Sequence, residues 1–120
     1  MKGKLYLIPI TLGESSIESV IPKEVIEKVL EIRNFIVEDV RTVRRYLRKL
    51  DAAFPIDDCR FFELNKHTTP EQLATYLVPA EKGMDTGVIS EAGVPGVADP
   101  GAEVVAMAHK KHIQVVPLVG

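Results

Sequence analysis

Apolar residues in this chain fall into short continuous runs, and the stretches between them repeat apolar positions at helical spacing. Lys4 to Ile10 contains Leu-Tyr-Leu-Ile-Pro-Ile, the pattern of a strand buried on both faces, and Pro9 suits only its end. Thr11 to Ile21 is polar, carries Gly13, Ser15 and Ser16, and predicts a loop. A helix is expected from Pro22 to Arg33, with Pro22 at its first position and Val25, Ile26, Val29 and Leu30 along one side. Asn34 to Asp39 predicts a second strand that ends in two carboxylates, and Val40 to Asp51 a second helix. Arg60 to Leu64 predicts a third strand leading into Asn65-Lys66-His67. Thr69-Pro70-Glu71-Gln72 is a capping box with proline in the first turn, and that helix should end or bend near Pro79, which cannot donate to Thr75. Asp85 to Ser90 predicts strand four, Gly101 to Lys111 a further helix, and Ile113 to Leu118 strand five.

Five strands alternating with four helices, the strands being apolar runs without period-two alternation, predict an α/β fold. The expected architecture is three-layered, with a mostly parallel five-stranded sheet between helices on both faces. The 120 residues suit a single domain with a true core, and 46% apolar against 27% charged residues is the balance of an ordinary globular chain. A net charge of −2 gives no global attraction to nucleic acid, so a basic site has to be a local patch. No apolar run approaches the roughly 18 residues of a membrane span. The single cysteine, Cys59, allows no internal disulfide and no cysteine-rich metal site, in keeping with a reducing, cytoplasmic setting.

In a parallel sheet the residues just after each strand collect along one edge, where open α/β sheets bind ligands. Thr11 and Gly13, Glu38, Asp39 and Arg41, Asn65 to His67, and Ser90 to Asp99 should share that rim. The last group is the densest in chemistry. In Ser90-Glu91-Ala92-Gly93-Val94-Pro95-Gly96-Val97-Ala98-Asp99-Pro100-Gly101, glycines permit close backbone approach to a ligand, prolines fix the path, and Asp99-Pro100 starts a helix. Structural roles compete at each point: Asp39 and Asp99 also serve as helix caps, and Asn65 as a turn residue.

On the helix from Val40 to Asp51, Val40, Val43, Tyr46, Leu47 and Leu50 fall on one side and Arg41, Arg44, Arg45, Arg48 and Lys49 on the other. Such a basic face either contacts phosphates or is simply solvated. His109 and His112 lack further metal ligands nearby in the sequence, so no metal is expected, and Cys59 has no flanking base. The chain contains neither a Walker loop nor a G-x-G-x-x-G.

Ser90 to Pro95 with Asp99-Pro100-Gly101 resembles the S-D-A-G-x-P-x-x-x-D-P-G element of the tetrapyrrole methylase superfamily, in its branch of small-subunit ribosomal RNA 2′-O-ribose methyltransferases. Gly3 to Pro9 is similar to that branch's first strand, Glu38-Asp39-Val40-Arg41 to its E-D-x-R, and Val115 to Gly120 to its V-V-P-L-P-G. The resemblance runs along the whole chain. It implies S-adenosylmethionine as cofactor, a dimer, and two α/β domains of which these residues look like the first. By position it assigns the cofactor to Gly93, Val94, Pro95, Gly96, Val97 and Ala98, with Pro9 and Gly13 opposite. Glu91 stands where the branch has Asp, Pro9 to Glu14 where it has P-T-P-I-G-N, and Asn65-Lys66-His67 where it has H-N-E.

The expected activity is methyl transfer from S-adenosylmethionine to a ribose hydroxyl of ribosomal RNA. Glu38, Asp39 and His67 are the candidate proton acceptors, and Arg41, Arg44, Arg45 and Arg48 the candidate phosphate contacts. Two alternatives stay open: methylation of a tetrapyrrole or other small molecule, and a noncatalytic α/β binding or dimerisation module.

Overall fold

The computed structural model describes residues 1–10, 22–91 and 100–118. Their apolar runs form strands β1 (Leu5–Ile10), β2 (Asn34–Val37), β3 (Arg60–Glu63), β4 (Thr86–Glu91) and β5 (Val115–Pro117). These make one sheet in the order β3-β2-β4-β1-β5, parallel at every pairing. Helices α1 (Lys23–Glu31), α2 (Val40–Leu50), α3 (Pro70–Tyr76), α4 (Val78–Glu81) and α5 (Pro100–Lys110) connect them, with a 3-10 turn at Ile56–Asp58. The expected α/β architecture is the one observed.

Alternation along each strand divides the core into two. Tyr6, Ile8, Phe35, Val37 and Ile89 pack with Val25 and Val29 of α1 and with Val43, Tyr46 and Leu47 of α2. Leu5, Ile36, Leu64 and Val88 point to the opposite face, against Leu73, Leu77, Ala80, Val104 and Ala108. Phe35 stacks on Phe61 with ring centroids 5.7 Å apart and meets Phe54 at 6.3 Å. Gly87 lies beneath this cluster: a β-carbon there would sit 2.5 Å from Ile8 Cδ1 and 3.3 Å from Phe35 Cδ1, so the close packing of β1 on β4 depends on the missing side chain.

Two prolines in strands are explained by the ladder. Leu118 donates its N–H to Leu7 O at 2.9 Å, so the adjoining residue of β5, Pro117, has its amide position on the free edge of the sheet. Pro9 falls beyond the β5 ladder, whose pairing with β1 ends at Leu7, and its absent donor breaks no strand bond there.

Several boundaries differ from expectation. Strand β2 stops at Val37, because Asp39 turns its carboxylate back to cap α2, accepting from the N–H groups of Arg41 (3.0 Å) and Thr42 (3.3 Å). Pro22 is the N-cap of α1 and not its first helical residue, and its carbonyl accepts from Val25 and Ile26. Helix α1 ends at Glu31, where Ile32 becomes extended and the Arg33 guanidinium donates to the carbonyls of Leu30 (2.6 Å) and Ile32 (2.9 Å). The capping box is present in both directions, Gln72 N–H to Thr69 Oγ1 at 3.2 Å and Thr69 N–H to Gln72 Oε1 at 2.9 Å. The helix it starts ends at Tyr76, and Pro79 stands in the first turn of a separate short helix.

Candidate functional site

Because all strands are parallel, their carboxyl ends share one rim in the order β3, β2, β4, β1, β5. The chain travels from β1 to β2 to β3 in one direction with α1 and α2 on one face, then from β3 to β4 to β5 in the other direction with α3, α4 and α5 on the opposite face. The reversal leaves β1 and β4 as neighbours whose outgoing connections diverge to opposite faces. That is the topological switch point, where an open sheet has a crevice. Ile10 pairs with Glu91 and Pro9 with Ser90, so segments 11–21 and 92–99 begin from adjacent backbone positions at this crevice.

Of the cofactor-binding expectations, Pro9 is thereby positioned at the end of β1. Gly13 and the run Gly93, Val94, Pro95, Gly96, Val97 and Ala98 lie outside the described residues. The three candidate proton acceptors are spread along the rim. Glu38 is half-buried and follows Val37, the partner of Ile89, so it emerges beside β4. Asp39 is exposed and its Oδ1 is engaged by two helix amides.

His67 is exposed in a turn after β3, two strands from β4, or about 10 Å at ordinary strand spacing. Asn65 Oδ1 accepts from His67 N–H at 2.8 Å, Thr68 Oγ1 accepts from Asn65 N–H at 2.9 Å, and Asn65 O accepts from Thr68 N–H at 3.1 Å. This locks the turn and presents Lys66 and His67 outward. Leu64 N–H donates to Val37 O at 2.7 Å, which ties the turn to the start of α2.

Arg41, Arg44, Arg45 and Arg48 are all exposed on the side of α2 opposite buried Val43, Tyr46 and Leu47. The helix starts at the rim, so Arg41 is nearest the crevice and Arg48 about 10 Å farther along the helix.

Cys59 is half-buried, its Sγ lies 3.5 Å from Pro55 O, and burial pushes its thiol above the ordinary range, the condition of an unreactive cysteine. Among the described residues no group of three or more His, Cys, Asp or Glu stands close enough to hold a metal ion. Also among them, no helix is long and apolar enough to cross a membrane.

The sequence reading missed a cluster at the opposite end of the sheet. Lys28 of α1 reaches the Tyr6 ring (4.9 Å to the centroid), Glu31 (3.3 Å) and Asp85 (3.6 Å), while Asp85 also accepts from Lys4 N–H at 2.9 Å. The hydrogen bond to Tyr6 is the main influence holding the Lys28 ammonium above its ordinary pKa. The cluster joins α1 to β1 and to the start of β4, far from the rim. Its members are separated by up to 81 positions in the chain, and no local pattern signals them.

No family model matches the chain. Among curated proteins, ribosomal RNA small subunit methyltransferase I of Halalkalibacterium halodurans is 32% identical over 119 residues, 99% of this chain and 38% of the relative. The proteins of that name from Synechocystis and Escherichia coli O157:H7 are 28% and 27% identical, over 98% and 99% of this chain and 39% of each relative. The chain is related to the N-terminal part of these methyltransferases. It spans about two-fifths of their length. The aligned 119 residues take in all five strands, so the relationship includes the β1/β4 crevice and the segments on either side of it.

Proposed function

We propose that the chain is the N-terminal α/β half of an S-adenosylmethionine-dependent methyltransferase whose acceptor is a ribose 2′-hydroxyl of small-subunit ribosomal RNA. The observation that carries this reading is the pairing of Ile10 with Glu91 at the switch point, which roots segments 11–21 and 92–99 side by side in a chain related to methyltransferases. The glycine-rich second segment suits a backbone wall against the cofactor, with Gly93, Val94, Pro95, Gly96, Val97 and Ala98 on one side and Pro9 and Gly13 on the other. Residues beyond this chain would close the pocket from a second domain.

S-adenosylmethionine supplies a methyl group on a sulfonium, already an excellent leaving group. The protein's contribution is therefore to hold the acceptor oxygen in line and to exclude water. The ribose hydroxyl also needs a group to take its proton. Glu38 suits that task best of the three candidates, being half-buried and directly after the end of β2, the strand next to β4. Asp39 caps α2, and His67 stands too far along the rim, where it suits substrate contact. The reading carries with it a homodimer, as the family resemblance implies, in the reducing cytoplasmic setting that the single cysteine suits.

The test is methylation of purified small-subunit particles by the natural full-length protein with methyl-labelled cofactor. Label recovered in 2′-O-methyl nucleotides is expected. Bound cofactor with no label in RNA would overturn the acceptor, and no cofactor binding would overturn the whole reading.

A further inference from the structure

Helix α2 carries Arg41, Arg44, Arg45, Arg48 and Lys49 and no acidic residue from Val40 to Leu50. Among the described residues, none of these five cations has a carboxylate within ion-pair distance; the ion pairs there join Lys28 to Glu31 and Asp85, and Lys111 to Glu81. A helix face that is merely solvated usually alternates charges, since opposite charges four residues apart stabilise it and like charges destabilise it. Here Arg41 and Arg45, Arg44 and Arg48, and Arg45 and Lys49 are like-charged pairs at that spacing. Arg48 and Lys49 suit the C-terminal end of the helix dipole, but the like-charged pairs they form with Arg44 and Arg45, and the pair Arg41–Arg45, oppose it, so the concentration of arginine is not explained by helix stability.

We infer that this face is a docking track for an RNA phosphate backbone, leading from the rim beside the β2 and β3 ends along α2. The four guanidinium groups fall within an arc of about 100° and form a line about 10 Å long. Each is a planar fork matched to phosphate oxygens, and none has a carboxylate partner among the described residues. The line continues at the rim into Lys66 and His67, on the turn held to β2 by the bond from Leu64 to Val37. Acidic groups flank both ends of the helix, Asp39 capping its amides at the rim and Asp51 following its last turn with Oδ1 engaged by Ala53 N–H, yet among the described residues none is within ion-pair distance of Arg44, Arg45 or Arg48. An RNA on this track approaches the β1/β4 crevice from the β3 side of the sheet. The choice of RNA over an acidic protein rests on the methyltransferase reading and on the predominance of arginine.

The test uses the natural full-length protein with small-subunit ribosomal RNA, titrated between 0.05 and 0.3 M salt on the order of the range over which phosphate contacts are resolved. Substituting Arg44, Arg45 and Arg48 together by Ala should weaken binding on the order of 10- to 100-fold at about 0.1 M salt and lower the log–log salt slope by roughly 2 to 3. Affinity for S-adenosylmethionine should be unchanged, which separates this inference from the cofactor reading. Arg45→Glu should move two readouts in opposite directions, raising the melting temperature by on the order of a few degrees while weakening RNA binding. Unchanged affinity and slope in the triple variant would overturn the track. So would a loss of affinity with an unaltered salt slope, because that loss would not come from phosphate neutralisation.

Discussion

Ile10 at the end of β1 is the strand partner of Glu91 at the end of β4, although 80 residues separate them in the chain. Two strands laid down far apart in sequence thus deliver their outgoing segments to one point, and the helices that follow take opposite faces of the sheet. A ligand bound at that point would lie beside the carboxyl ends of both strands. The preorganisation comes from the sheet, whose register is fixed by the buried faces of Tyr6, Ile8, Val88 and Ile89.

The rim order places Glu38 beside β4 and His67 two strands away, and the proposed function gives them different roles. Glu38→Gln in the full-length protein should lower kcat by about 10²-fold or more with little change in KM, as expected for loss of a positioned proton acceptor. His67→Ala should raise KM for RNA and leave kcat within a few fold. Steady-state kinetics on both variants checks this, and a kcat collapse confined to His67→Ala would reverse the assignment.

Gly87→Ala tests how tightly β1 and β4 are packed. The added methyl meets Ile8 Cδ1, which could rotate, but also the Phe35 ring, which is confined by Phe54 and Phe61. Overpacking should cost about 1–3 kcal/mol, partly offset by the lower entropy of the unfolded Ala chain. Denaturant titration measures it, and an unchanged midpoint would mean that the site has slack.

His112 follows α5 with φ of 57°, in the left-handed region, while Ile113 N–H bonds Ala108 O at 2.9 Å and His112 N–H bonds His109 O at 3.1 Å. This is a Schellman ending with histidine where glycine is usual. His112 is exposed. His112→Gly should stabilise the domain by about 0.5–1 kcal/mol by relieving the strained backbone. Thermal melts decide it.

Tyr46 lies on the buried face of α2, and burial pushes its phenol up to about 12 from an ordinary 10.0. The neutral form is thus favoured in the folded state. Stability from this group is complete below pH 10.0 and is lost as pH rises toward about 12, where the unfolded chain has already released its proton. A loss of roughly 2 kcal/mol across that window is expected. Tyr46→Phe should flatten this part of the stability profile relative to the parent chain.

Much of the fold was legible because its signals are local. Continuous apolar runs mark doubly covered strands, Thr69 and Gln72 mark a helix start, and the valines and leucines of α2 mark its buried side. The order of strands was not legible, since it depends on which crossover skips a neighbour, and that in turn decides that His67 lies two strands from β4 while Glu38 lies beside it. The end of β2 was overrun for a related reason: Glu38 and Asp39 continue the strand's sequence pattern, but the Asp39 cap claims the backbone for α2. The close fit at Gly87 and the Lys28 cluster arise from residues far apart in the chain, and neither has a sequence signature.

The central claim is that the β1/β4 crevice binds S-adenosylmethionine, and it is tested most directly by titrating the full-length protein and its Gly93→Ala variant with the cofactor in a calorimeter while recording the thermal melt of each. Wild-type protein should bind, and Gly93→Ala should lose at least about tenfold in affinity with a stability change below about 1 kcal/mol, as the proposed role of Gly93 against the cofactor requires. Undiminished affinity in Gly93→Ala would contradict a cofactor loop at this crevice.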